Sequence, residues 1–271
     1  MADLRAYVMR LQKAAASPKA AGAVPAKPAP VQIDFAKWGP VTKQPVTSLR
    51  RTIAEKMTES WTAIPHVTQF DEADITGLMA IKKKYDAAYE KKGAKLTLTA
   101  FILKAVAKTL KAHPKFNVSF DEAAGEIVFK QYYHIGIAVD TEAGLIVPVI
   151  RDVDKKPLSS LSKELNALAE KTRKRQVSAE DLQGGTFTIS NQGGIGGGAF
   201  TPIIKRPEVA ILGLARGVQK PLAKGDKVEI RFVLPMGLSY DHRVIDGADA
   251  ARFIKDLVQA IELFDEKEVK I

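Results

Sequence analysis

Residues 228–247 read VEIRFVLPMGLSYDHRVIDG, and the architecture follows outward from them. β-Branched and large apolar residues over 228–239 predict a strand, and helical periodicity resumes from about Gly247 to Leu263. The polar junction between them carries Asp241, His242, Arg243 and Asp246. A short strand-to-helix junction points side chains into a cleft, so this is where chemistry is sought first. Upstream, strand signals stand at 66–72, at 126–139, at 145–150 across a Thr141–Gly144 turn, at 186–190 and at 209–213. Tyr133, Ile135, Ile137 and Val139 alternate as a half-buried strand does. Helices are expected at 49–61, at 74–92 with Asp74 as cap, at 97–113 with Thr97 as cap, and at 157–175, where Leu158, Leu161, Leu165 and Leu168 form one stripe. Strands and helices mix without a regular βαβ rhythm. The pattern predicts an α/β sandwich rather than a doubly wound sheet.

Composition narrows the chemistry. The 271 residues include no cysteine, so disulfides, thiolate metal sites and a cysteine nucleophile are excluded, and any thiol must arrive with a substrate. No apolar run would span a bilayer and no signal-peptide core is present, which predicts a cytoplasmic, membrane-free protein. The net charge of +10 is unevenly spread. Residues 1–45 contribute seven basic side chains against two acidic ones, leaving 34 against 29 in the remaining 226. That mild excess suits a phosphorylated small molecule, and no nucleic-acid partner is expected. Residues 3–13 space Leu4, Val8 and Leu11 as a short amphipathic helix, and 14–30 are rich in Ala and Pro, a semi-rigid spacer. The expected organisation is a remnant helix of an upstream module at 1–13, a linker and arm at 14–44, and a catalytic domain at 45–271, the whole being a piece of a modular protein.

Two features invite a nucleotide or catalytic reading. Residues 193–198, GGIGGG, follow a strand, yet no Lys-Ser/Thr pair follows and Pro202 interrupts any helix behind them. Phosphate-loop and dinucleotide readings therefore fail, leaving a turn or a close backbone approach to a substrate. Of the four histidines, His113 precedes Pro114 at a helix end, and His66 and His134 stand at strand starts. His242, in the junction quoted above, is the candidate general base. Asp246 doubles as a candidate helix cap.

Asp241-His-Arg-Val-Ile-Asp-Gly247, together with Thr186-Phe-Thr-Ile-Ser-Asn-Gln-Gly-Gly194, resembles the signature pair of the dihydrolipoamide acyltransferases. The likeness spans roughly 31–271 and includes Gly136-Ile-Ala-Val-Asp-Thr, Gly144-Leu-Ile-Val-Pro and Pro207-Glu-Val-Ala-Ile-Leu-Gly. Ile64-Pro-His-Val-Thr-Gln-Phe-Asp and Ile33-Asp-Phe-Ala-Lys-Trp-Gly look most like the pyruvate dehydrogenase acetyltransferases.

The resemblance implies a chloramphenicol acetyltransferase-like two-layer sandwich with a mixed sheet, built as a trimer. It implies acetyl transfer from S-acetyl-dihydrolipoyl lysine to coenzyme A, with His242 as base, Ser190 as donor to the tetrahedral oxyanion and Asp246 ordering the site. Arg50 resembles an arginine that pairs with that aspartate. For coenzyme A it points to Lys82 as phosphate partner and to Thr97, Asp140 and Asn191 along the nucleotide and pantetheine arm. Each has an ordinary structural role available: helix surface for Lys82, N-cap for Thr97, and turn formation for Asp140 and Asn191. Lys82 stands where an arginine is usual, keeping the charge but losing the bidentate fork. No metal is required, and the lipoyl group would ride on a separate domain. Further implied are assembly of homotrimers into a cubic or dodecahedral core, with active-site channels between subunits, and partner dehydrogenases held through upstream domains. A succinyl- or branched-chain-specific enzyme and a structural scaffold are the alternatives.

Overall fold

The computed structural model describes Met9 and residues 33–271. Met9 apart, the expected helix over 3–13 and spacer over 14–30 lie outside the described residues. The chain divides into two units, Met1–Pro45 and Val46–Ile271. In the first, Phe35–Lys37 form a 3-10 turn whose Ala36 N–H is accepted by the Asp34 carboxylate.

The second unit begins with helix α1 (Ser48–Ala63), capped by the Thr47 hydroxyl, and strand β1 (His66–Asp74). Helices α2 (Thr76–Lys91) and α3 (Leu98–Ala112) follow. Next come β2 (Val118–Asp121), β3 (Glu126–Phe129), β4 (Ile135–Ala138) and β5 (Val149–Ile150). Helix α4 (Leu158–Arg173) precedes β6 (Phe187–Asn191), β7 (Ala210–Leu214), β8 (Val218–Lys224) and β9 (Lys227–Asp241). Helix α5 (Gly247–Glu262) closes the main body.

Seven strands make one mixed sheet in the order β1-β9-β7-β6-β4-β5, with β8 on the lower half of β9, while β2 and β3 form a separate hairpin. The β4, β6 and β7 ladders are parallel and the others antiparallel. The expected strand at 126–139 is thus two strands in two sheets. Asn117 stands at the break, its side-chain amide donating to the carbonyls of Lys130 and Tyr132.

Strand alternation sorts the two faces of the sheet. Ile135, Ile137, Phe187, Ile189, Leu212, Leu214, Leu234, Met236, Leu238 and Tyr240 join the hydrophobic core with α3, α4 and α5. Helix α3 is buried nearly all round, and α5 contributes Phe253, Ile254, Leu257 and Ile261 at helical spacing. Burying each such side chain stabilises the fold by about 1.5–3 kcal/mol. Many of the intervening positions carry small or polar residues instead, Gly136, Thr188, Ser190, Gly213, Gly237 and Ser239 among them, with Ile211 and Val149 as apolar exceptions. There the tip of the Phe200 ring closes on Gly213, where a Cβ would stand 2.8 Å from its Cζ, so only glycine fits. Among the described residues no helix is long and apolar enough to cross a membrane.

Candidate functional site

Ser190 sits in β6, opposite Ala138 of β4 and Gly213 of β7, on the face of small residues. It is 8% exposed, so its hydroxyl is screened from water yet reachable. The next residue, Asn191, donates from Nδ2 to the Thr99 hydroxyl at 3.0 Å and accepts the Gly193 N–H at 2.8 Å. These bonds tie the end of β6 to the first turn of α3, which Thr97 caps by accepting the Ala100 N–H. Asp140 lies exposed just beyond β4, beside β6 in the parallel ladder. Ser190, Asn191, Thr97 and Asp140 therefore gather at the carboxyl ends of the parallel strands, where open α/β sheets commonly place ligands. Lys82 stands apart on α2, paired with Asp86 one turn on. The glycine run forms a turn after β6 with no helix behind it, so the rejection of a phosphate loop stands.

His242 immediately follows β9, exposed, with its backbone N–H donated to the Pro65 carbonyl at 3.1 Å. The junction is braced on both sides. Asp241, 2% exposed, accepts the Arg243 backbone N–H at 3.0 Å and its guanidinium at 2.8–3.2 Å. Arg243 in turn reaches Glu122 at 3.0 Å and covers the Phe120 ring, joining the junction to the β2–β3 hairpin. Asp246 has N-cap backbone geometry for α5, but its side chain makes no capping bond and stays exposed. Tyr240 is pushed above the usual phenol range by burial and by the Asp246 charge.

Arg50 lies over the Thr141–Gly144 turn; a Cβ on Gly144 would be 3.4 Å from its Nη2. Among the described residues no ion pair joins Arg50 to Asp246 within one chain. The other histidines are engaged. His113 ends α3 with Nε2 2.7 Å from the Asp256 carboxylate, and His134 accepts the Asp152 N–H while burial lowers its pKa.

Ser190 and His242 do not meet within one chain. Ser190 is level with Gly213 and, through it, with Gly237, whereas His242 lies five residues farther along. At ~3.3 Å per residue and ~4.8 Å between strands, their Cα atoms are roughly 19 Å apart. Neither side chain spans that gap.

Residue reading set His66 aside as a strand start and gave no account of the Asp241–Arg243 brace or of the buried Glu208. Only the brace had a visible signal, an acid and an arginine flanking the candidate base.

Residues 39–268 match the family described as 2-oxoacid dehydrogenases acyltransferase (catalytic domain). The chain is 48% identical over 257 residues to the dihydrolipoyllysine-residue acetyltransferase component of the pyruvate dehydrogenase complex of Azotobacter vinelandii, covering 94% of this chain and 40% of that one. It thus spans about two fifths of the first curated relatives it matches. Among solved structures, the A. vinelandii dihydrolipoamide acetyltransferase, in which a serine, a histidine and an asparagine were investigated for roles in the catalytic mechanism, superposes with a TM-score of 0.85 at 48% identity, covering 88% of this chain and 97% of that chain. The cubic core of a pyruvate dehydrogenase multienzyme complex gives 0.85 at 47% identity, with the same coverage. A chloramphenicol acetyltransferase, 15% identical, shares the fold at 0.51 over 76% of this chain and 94% of its own.

Proposed function

The chain belongs to the 2-oxoacid dehydrogenase acyltransferase (catalytic domain) family, and from that premise we propose that it transfers an acetyl group from S-acetyl-dihydrolipoyl lysine to coenzyme A at a site shared between two copies of itself. The observation that carries this reading is the spacing of Ser190, His242 and Asp246. The serine, histidine and asparagine investigated in the A. vinelandii enzyme are separated by fifty-two and then four positions, as these three are here. The third position holds aspartate in this chain, a charged group in place of a neutral amide. The separation of Ser190 from His242 within a chain supports a composite site, with the base from one protomer and the oxyanion donor from its neighbour.

In the proposed step, the His242 imidazole removes the proton from the coenzyme A thiol, which, titrating near ~8.5 as a cysteine does, is mostly protonated at neutral pH. The sulfur bonds to the thioester carbonyl carbon and the carbonyl electrons move onto oxygen. The Ser190 hydroxyl donates to that oxyanion, from a position shielded enough to strengthen the bond. Collapse restores the carbonyl, breaks the bond to the dihydrolipoyl sulfur, and the proton on His242 passes to that sulfur. Asp246, free of any capping duty, orders the junction. Arg50 supports it from a neighbouring chain, the arrangement that fits its separation from Asp246 here. Thr97, Asp140 and Asn191 line the coenzyme A arm from the strand ends, with Lys82 toward its phosphates. Trimers of the chain assemble into a larger cytoplasmic core that receives lipoyl domains and, through upstream domains, partner dehydrogenases.

The test is turnover of acetyl- and succinyl-dihydrolipoamide with coenzyme A by the chain and by His242→Ala. We expect acetyl to be preferred and the variant to lose ~10²–10⁴ in turnover with the oligomer intact. Near-normal turnover in His242→Ala removes it as the base, and a succinyl preference rejects the acetyl assignment.

A further inference from the structure

We infer that His66 is a positioning residue that links the segment leaving the glycine loop to the backbone holding His242; the inference rests on the reading of His242 as the base. Three observations converge on the ring. Its Nδ1 lies 2.8 Å from the Ile64 carbonyl, and a carbonyl only accepts, so Nδ1 carries the hydrogen. The Ile204 backbone N–H points at Nε2 from 3.1 Å, so Nε2 must offer a lone pair. Both bonds together require one neutral tautomer. Trp61 stacks on the ring with centroids 5.3 Å apart, and Ile64, Ile204 and Ile211 form a small buried cluster of their own at this joint.

What the ring joins gives the arrangement its meaning. Ile64, the C-cap of α1, is bonded through its N–H to Ser60 and through its carbonyl to His66. His66 itself pairs with Asp241 in the β1–β9 ladder. The intervening Pro65 is therefore fixed from both sides, and its carbonyl receives the His242 N–H. On the other side, Ile204 ends the extended run that leaves the glycine loop after Ser190, the run whose Phe200 lies on Gly213. One imidazole thus connects the run that follows the glycine loop to the backbone that holds His242. Cutting the bond to Ile204 loosens the joint that sets the His242 backbone without touching either substrate.

Glutamine at 66 can place an acceptor near the Nε2 position and gives up only the Nδ1 bond, with Pro65 still flanked by the α1 C-cap and the β1–β9 ladder, whereas asparagine reaches only the Nδ1 position and leaves the Ile204 N–H unmatched. Acetyl transfer from acetyl-dihydrolipoamide to coenzyme A is measured for the unaltered chain, His66→Gln and His66→Asn, with amide hydrogen exchange of the segment containing Ile204 in parallel. We expect His66→Asn to lose roughly ten- to a hundredfold in kcat, as a displaced catalytic group does. Both KM values should stay within about twofold, the pattern of an interaction that matters only in the transition state. His66→Gln should recover most of the loss, and the Ile204 amide should exchange fast only in His66→Asn. Wild-type kcat in His66→Asn, a loss confined to KM, or a His66→Gln variant as impaired as His66→Asn overturns the inference. Should His66→Asn not fold, rapid Ile204 exchange in the unaltered chain, or an impaired His66→Gln, still overturns it. An unaltered chain that transfers no acyl group defeats the acyltransferase reading instead, with the exchange data reporting on the joint alone.

Discussion

Glu208 keeps a carboxyl group 2% exposed, with the Thr188 hydroxyl donating to it at 2.6 Å. Burial pushes it up to about 7, and Thr188, Lys205 and Lys130 offset only part of that shift. Below the usual value of 4.5, folded and unfolded chains both hold the proton. As the pH rises from there to about 7, the unfolded chain gives up its proton first, and the native state loses stability on the order of 3 kcal/mol. Glu208→Gln keeps an oxygen for Thr188 and removes the titration. It should melt roughly 5–10 °C above the unaltered chain at pH 8 and level with it at pH 4, measured by calorimetry. An equal offset at both pH values would mean that the carboxyl does not titrate there. At this scale the sequence singled out a residue where a motif surrounded it, as with the proposed base His242 and the proposed donor Ser190. Glu208 carried no such mark, because nothing in Arg-Pro-Glu-Val-Ala shows that the fold buries an acid beside Thr188.

Among the elements, the helices were readable nearly to their ends: α4 and α5 each turn one apolar stripe toward the core, whereas α3 is buried nearly all round and α1 buries only Ser60. Asp74 was expected to cap a helix at 74; it ends β1 instead, while its carboxylate still accepts the Thr76 N–H at the start of α2. Two strands were missed for physical reasons. β8 has Pro221 at its centre and polar neighbours, tolerable because it pairs only with β9 and leaves its other edge open. β2 is four residues long and pairs only with β3, too short for alternation to register. Thr97 tests how far a local role and a ligand role coexist. As a cap it accepts the Ala100 N–H at 3.3 Å, so Thr97→Ala should cost about 1 kcal/mol in denaturant unfolding while Thr97→Ser costs little. A contact with coenzyme A adds a raised KM for that substrate in Thr97→Ala; unchanged KM confines the residue to capping.

For the whole molecule, the separation of Ser190 from His242 turns a question of assembly into one of activity. Motif order in the sequence singled out both residues, and the resemblance implied channels between subunits, but their separation within one chain depends on register across three strands. Ser190→Ala alone should lose ~10²–10³ in turnover, as removal of an oxyanion donor does, and His242→Ala alone should lose its base. Co-assembled in equal amounts, a Ser190→Ala protomer still supplies an intact imidazole and a His242→Ala protomer an intact hydroxyl. In a closed ring filled at random, about one site in four then draws both groups from the correct neighbours, so mixed particles should regain about a quarter of the unaltered turnover. The measurement is the rate of acetyl transfer by co-expressed variants against the same two proteins purified separately and mixed without exchange. Recovery only in the co-assembled sample establishes a site built between chains. No recovery there means that each chain brings its own serine and histidine together, which the β-sheet register could permit only if the His242 junction moved by more than the length of either side chain.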